Sequence, residues 1–186
     1  MKNKFSQYSD TRLAGMLREK RKIAEAAFTE LYDRHAAKVH TYCACMLGSR
    51  DEAADILQET FIRFHKYAQK KDVLENVSGY IITISRNLCL NHIRNNRRTV
   101  PIGEMDFAGD DGIRYEEKET FDMIMTAIDL LDEKYREPFI LREFDGLAYQ
   151  EIADICDLSL SNAKSRVARA RHQLANVLDP YMKNKY

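Results

Sequence analysis

The chain has 186 residues, 45% of them hydrophobic and 31% charged, which fits a folded protein with much solvated helix surface. Seven glycines and three prolines are too few for an all-β protein rich in tight turns, and they exclude collagen-like or proline-rich sequences. No apolar run approaches the roughly 20 residues that cross a bilayer, and the first residues lack an apolar signal core, so a cytoplasmic protein without membrane insertion is expected.

The 29 basic and 29 acidic side chains cancel, yet they are unevenly distributed. Residues 86–98 carry four arginines and no acid, residues 99–133 carry 11 acids and two bases, and from Leu158 onward six bases face one acid. Two basic stretches around an acidic middle point to a polyanionic partner more strongly than the zero sum argues against one.

Apolar residues recur at helical spacing throughout and no stretch alternates strictly, which predicts an all-α fold. A short helix follows Ser9, a good N-cap, with Leu13, Met16 and Leu17 on one face. The next helix is long, with Phe28, Leu31, Tyr32, His35, Val39, Tyr42, Cys43 and Met46 recurring at threes and fours until Gly48. Ser49 and Glu52 have capping-box spacing and open a helix whose apolar face is Ala53, Leu57, Thr60, Phe61 and Phe64. Ser78 is the expected cap of a helix reaching Arg97, with Ile81, Ile84, Leu88, Cys89, His92 and Ile93 turned inward. Residues 99–118 hold Pro101, Gly103, Gly109 and Gly112 without periodicity, which predicts a flexible linker rather than an internal loop.

Beyond the linker, Phe121, Ile124, Met125, Ile128 and Leu131 predict one helix. Asp132 is placed to cap a second, which contains Pro138 and stops at Gly146. Residues 149–156 form a short third helix, and 161–178 a last one stopped by Pro180. The expected architecture is two small helical domains, 8–98 and 119–182, joined by the acidic linker.

The last two helices, separated by about four residues, have the helix-turn-helix arrangement. On the final helix Ala163, Val167, Ala170, Leu174, Val177 and Leu178 make an apolar stripe for packing against Ile152, Ala153 and Ile155. Ser161, Asn162, Lys164, Ser165, Arg166, Arg169 and His172 project elsewhere. That donor-rich composition suits a groove-docked recognition helix, or a plain solvated basic face. On the helix after Ser78, Thr83, Arg86, Asn87, Asn91 and Arg94 could track a phosphate backbone or pair with the acidic linker, and Tyr80 could stack on an unpaired base. Asp51, Glu52, Asp55, Gln58 and Glu59, beside Ile56, Phe61 and Ile62, suit a basic protein partner or simply water.

Enzymatic motifs are missing: the sequence has no Gly-rich phosphate loop, no H-E-x-x-H and no G-x-S-x-G. No catalytic residue and no cofactor is expected. Cys43, Cys45, Cys89 and Cys156 match no zinc spacing and read as reduced, buried side chains, so no metal site is expected; a redox or metal role for Cys43 with His40 or Cys45 is the alternative.

Taken together, Phe28–Tyr32, the run Asp51–Arg63, Tyr80–Asn87 followed by Asn91–Arg94, Leu141–Glu143, Tyr149–Ala153 and Lys164–Arg171 resemble the extracytoplasmic-function (ECF) sigma factors of bacterial RNA polymerase. The resemblance implies that Asp51, Asp55, Gln58, Glu59 and Phe61 bind core RNA polymerase. It implies that Tyr80, Thr83, Arg86, Asn87, Asn91 and Arg94 engage the promoter −10 element, and that Ser161, Asn162, Lys164, Ser165, Arg166 and Arg169 serve the −35 element. Core RNA polymerase, promoter DNA and an anti-sigma factor are the implied partners. Two features depart from the family pattern. Tyr80 stands where Trp is usual, and Ser159 and Ser161 stand where Pro and Gly are usual, ahead of the recognition helix. A conventional DNA-binding regulator acting alone is the competing reading, and the polymerase-binding motif weighs against it.

Overall fold

Ser9 starts the first α-helix by accepting a hydrogen bond from the Arg12 backbone N–H at 3.3 Å, so that α1 spans Asp10–Met16. In the computed structural model, which describes residues 4–96 and 123–183, every regular element is helical and no strand occurs among the described residues. A single 3-10 turn at Lys4–Gln7, not foreseen in the sequence, precedes α1. Then come α2 (Arg21–Leu47), α3 (Arg50–Ala68), α4 (Val77–Asn96), α5 (residues 123–129), α6 (Glu133–Glu143), α7 (Tyr149–Cys156) and α8 (Leu160–Lys183). The predicted linker lies outside the described residues. Two compact units result, one made of residues 1–43 and 51–101, the other of 44–50 and 102–186.

In the first unit α1 packs on α4, and Leu13, Leu17, Leu31, Val39, Tyr42, Phe64 and Ile81 are fully enclosed. Gly48, at φ +71°, ends α2 in the left-handed conformation that favours glycine. The helix start assigned to Ser78 is two residues late. The Asn76 side chain accepts from the Gly79 N–H at 2.8 Å, and Val77 is already helical. Both residues are good caps, and Asn76 takes the role because it sits three residues before that N–H. The inward face of α4 is Ile81, Ile82, Ser85, Leu88 and Cys89, which leaves Ile84 only half-buried. Ser85 donates to the Ile81 carbonyl at 2.9 Å and accepts from the Thr60 hydroxyl at 3.3 Å, so neither buried hydroxyl is left without a partner.

Arg34 ties the N-terminal segment to α2. Its guanidinium donates to Asp10 and to the Tyr8 carbonyl at 2.8 Å, to the Ser6 carbonyl at 2.9 Å and to Glu30 at 2.8 Å, while His35 Nε2 meets the other Asp10 oxygen at 2.7 Å. The planar fork of arginine suits this many acceptors.

In the second unit α6, α7 and α8 pack against one another around Ile128, Ile140, Leu141, Ile152, Ala163, Val167 and Ala170. Gly146 at φ +72° allows the chain to leave α6. Asp132 stands at the N-cap of α6 without lending its side chain, which instead lies 3.5 Å from Lys134. Arg136 reaches back to the Asp129 carboxylate and carbonyl, which fixes α5 against α6. Pro138 sits inside α6 as predicted and cannot donate to the Lys134 carbonyl.

Two boundaries of α8 differ from expectation. It begins at Leu160 rather than Ser161, because Ser159 caps it by accepting from the Asn162 N–H at 3.2 Å. It also runs past Pro180 to Lys183. Proline's φ is helical, and so near the end of a helix it removes only one bond, to the carbonyl four residues back.

Candidate functional site

Along α3, Ala53, Ile56, Thr60, Phe61, Phe64 and Ala68 are buried, which turns the opposite strip outward. Asp51, Asp55 and Gln58, at helical spacing, are exposed on that strip. Phe61 lies on the inward face with Ala53, Thr60 and Phe64, as the periodicity predicts. The expectation that it and Ile56 stand beside the acidic residues as partner contacts is therefore overturned. Phe61 is 2% exposed, with ring centroids of Tyr32 at 4.8 Å, Phe28 at 6.1 Å and Phe64 at 6.5 Å, and Ile56 is also enclosed. The apolar groups that do reach the surface are Ile62, 41% exposed, and Tyr32, 38% exposed on α2. With Phe28, Ala54, Asp55, Leu57 and Gln58 they line a groove of about 500 Å³ floored by Phe61. Glu59 is engaged locally, by Arg63 at 2.6 Å. The groove is therefore an apolar trough with a carboxylate and an amide on its rim, open to a partner carrying apolar side chains and a cation.

On α4 the predicted nucleic-acid residues share a side and are partly organised by one another. Arg94 donates to the Asn91 side chain at 3.0 Å, and both are exposed with Asn87. Arg86 is half-buried. Thr83 turns its hydroxyl back to the Gly79 carbonyl at 2.8 Å and is half-buried. Tyr80 does not stand alone. Its ring lies against that of Tyr67, the centroids 4.0 Å apart and the planes 21° from parallel. Burial raises the Tyr80 pKa, and the neighbouring phenol of Tyr67 adds to the rise.

The helix-turn-helix is formed by α7 and α8. The Glu151 carboxylate accepts from the Ala148 N–H at 2.8 Å at the start of α7, and Asp157 takes φ +55° to make the turn into α8. Ala163, Val167, Ala170 and Leu174 are buried as predicted, while Ile155, Val177 and Leu178 lie half-buried at the margin. Ser161, Asn162, Lys164 and Ser165 are all exposed on the first turns of α8. Arg166 and Arg169 are tied to α6. Arg166 donates to the Lys134 carbonyl at 3.3 Å, the acceptor that Pro138 leaves without its helical bond. Arg169 donates to the Tyr135 hydroxyl at 3.2 Å, a bond that draws the Tyr135 pKa below its ordinary value against the opposing effect of burial.

The sigma-70 region 2 family model matches residues 31–99, and the sigma-70 region 4 model matches residues 121–174. The ECF RNA polymerase sigma factor SigW of Bacillus subtilis is 27% identical over 177 residues, covering 87% of this chain and 94% of that protein. The chain belongs to the ECF sigma factors. The ferric citrate uptake sigma factor FecI of Escherichia coli is 29% identical over 153 residues, covering 79% of this sigma factor and 88% of its own length. Two solved structures share its fold. One is the sigma factor RpoE of Bartonella quintana, in complex with the anti-sigma factor NepR, with a TM-score of 0.70 and 22% identity over 82% of this chain and 96% of that one. The other is CnrH in complex with the cytosolic domain of CnrY, with a TM-score of 0.67 and 20% identity over 92% and 99%.

The protein is thus a transcription initiation factor that directs RNA polymerase to promoters. Apart from Phe28, the residues of the apolar groove and of the exposed α3 strip fall within the region 2 match, and α7 and α8 within the region 4 match, α8 as far as Leu174. Cys43, Cys45 and Cys89 are buried and Cys156 is half-buried, and none of the four is in a disulfide. Burial and the charges of Asp129 and Asp145 push the Cys45 thiol up to about 12, so it stays protonated at neutral pH and is a poor nucleophile or metal ligand. Among the described residues no cluster of His, Cys, Asp and Glu could hold a metal ion, and no helix is long and apolar enough to cross a membrane.

Proposed function

We propose that the two units divide initiation between them, without enzymatic activity of their own. The first docks on core polymerase through Asp51, Asp55 and Gln58 on α3 and the apolar trough beside them, with Glu59 at the margin. Its α4 side, with Tyr80, Thr83, Arg86, Asn87, Asn91 and Arg94, takes the −10 element as an unpaired strand, which opens DNA by capturing bases rather than by consuming ATP. The second reads the −35 element through α8. The observation that carries this reading is that polar, exposed Asp55 and Gln58 border exposed Ile62 and Tyr32 within the region 2 match, with Asp51 exposed further along the same helix. Run-off transcription with core polymerase on a promoter library tests the whole scheme.

On α8 the side chains free to meet base edges are Asn162 and Ser165, with Ser161 and Lys164 beside them and Arg169 one turn further on. Asn162→Ala and Arg169→Ala are each expected to relax preference at one −35 position by about 1–3 kcal/mol. Lys164→Ala should weaken binding evenly across sequences and lower the salt slope by about one ion, and Arg166→Ala should do likewise. Transcription from a panel of −35 variants checks this. An unchanged preference profile in both Asn162→Ala and Arg169→Ala would place sequence reading elsewhere.

The basic stretches at 86–98 and beyond Leu158 would bind nucleic acid indiscriminately in a free molecule. An anti-sigma protein that covers them is therefore part of the proposal. Affinity purification from the native cell under non-inducing conditions should recover it in about equal amount with the sigma factor, and a chain recovered with core polymerase alone would remove it from the scheme.

A further inference from the structure

The single aromatic ring expected to stack on an unpaired base already has a neighbour. Tyr67, near the end of α3, covers one face of Tyr80 at 4.0 Å centroid separation and 21° between planes. That leaves a base no room on the shared face, because a stacked base needs the same separation that Tyr67 occupies. Both tyrosines are half-buried, so neither is sealed in the core. The ammonium of Lys71, an exposed residue in the α3–α4 connection, lies over the Tyr67 ring 5.6 Å from its centroid. A cation held over a ring marks a π face that is open to a ligand. It is also a charge that can move from ring to phosphate when a base arrives.

We infer that Tyr67 and Tyr80 form a two-ring stacking platform for an unpaired nucleobase of the opened promoter strand, with Tyr67 as the outer ring and Lys71 as the cation that shifts from the ring to the strand's phosphate. The inference rests on the assignment of the α4 side to the −10 strand and adds to it a residue from another helix. It also accounts for Tyr80 in the place where the family usually has Trp. A tyrosine ring backed by a second ring presents a rigid aromatic surface that one small ring lacks.

The chain holds ten tyrosines and no tryptophan, so a tryptophan introduced at position 67 is the only one in the protein. The test uses the full chain and a fluorescein-labelled pool of random 12-nucleotide single strands. Tyr67→Ala is expected to lower affinity by about 5- to 150-fold, the range for losing one base–aromatic stack, while Tyr67→Phe keeps it. Tyr67→Trp should show tryptophan emission quenched saturably by the strand and unaffected by an abasic strand of the same length. Tyr67→Leu separates stacking from support, because leucine still packs on Tyr80 but offers no π face. Full affinity in Tyr67→Leu, or emission from Tyr67→Trp that ignores the bases, would overturn the platform. If Arg86→Ala/Arg94→Ala weakens binding and Tyr67→Ala does not, the platform falls and the α4 assignment stands. If neither variant matters, or the wild-type chain fails to bind the strands, the α4 assignment falls and takes the platform with it.

Discussion

Asp55→Ala and Gln58→Ala are each expected to abolish promoter-directed transcription while leaving the helical content and the melting of the protein unchanged. Both side chains are exposed on the outward strip of α3, so removing them opens no cavity and breaks no core packing. In the complex, however, the same groups rim the apolar trough of Tyr32, Leu57 and Ile62, and a partner that fills the trough removes water from them. A charge or amide desolvated at an interface and then deprived of its partner commonly costs about 2–5 kcal/mol, which is a loss of roughly 30- to 5,000-fold in affinity. Asp51 is a weaker probe. It lies in the first turn of α3, where a carboxylate also stabilises the helix through its dipole, so Asp51→Ala would mix a folding effect with a binding one. Titration of each variant against core polymerase, beside thermal melts, separates the two contributions. Wild-type core affinity in both Asp55→Ala and Gln58→Ala would end the assignment.

The helices and their order were legible because long amphipathic repeats tolerate errors at their edges, and the edges are where sequence and structure part. On α3 the periodicity puts Phe61 on the apolar face, yet Phe61 also stands with Ile62 as a candidate partner contact. The register set by Ala53, Ile56, Thr60 and Phe64 buries Phe61 and exposes Ile62, so only Ile62 can meet a partner. On α4 the same shift turns Ile82 and Ser85 inward and leaves Ile84 half out. Serine is buried there because its hydroxyl finds the Ile81 carbonyl and the Thr60 hydroxyl, partners that a hydropathy pattern does not contain.

Contacts distant in sequence were the least visible. Pro138 announced a missing helical bond, but nothing in the sequence said that Arg166 of α8 would donate to the orphaned carbonyl of Lys134. The Arg34 clasp and the Tyr67–Tyr80 stack likewise join residues whose local patterns are those of ordinary surface positions. The polar residues of the candidate interfaces were easier to find, because exposed Asp55, Gln58, Asn87, Asn91, Asn162 and Ser165 follow directly from which helix faces are apolar.

The burial of Phe61 carries the other large expected effect. Phe61→Ala should destabilise the protein by about 3–5 kcal/mol, the usual cost of removing a large enclosed aromatic side chain. Its ring is 2% exposed and is met by Phe28 edge-on at 90°, by Tyr32 at 56° and by Phe64 at 80°, so its removal empties the centre of an aromatic cluster. Against a folding stability of about 5–15 kcal/mol, that loss is a large share of the total. Ile62→Ala, one residue along the same helix and 41% exposed, should change stability by no more than about 0.5 kcal/mol. The pair therefore separates scaffold from surface. Urea unfolding should show the Phe61→Ala midpoint displaced far below wild type and the Ile62→Ala midpoint nearly unmoved. Core polymerase binding, measured in the cold where both variants are folded, should reverse that order. Ile62→Ala should be weakened by loss of the exposed apolar contact, and Phe61→Ala should bind comparatively well because its ring supports the trough from below without reaching the partner. A Phe61→Ala protein with the unfolding midpoint of wild type would show that the aromatic cluster does not hold α2 and α3 together, and the groove it floors would lose its structural basis.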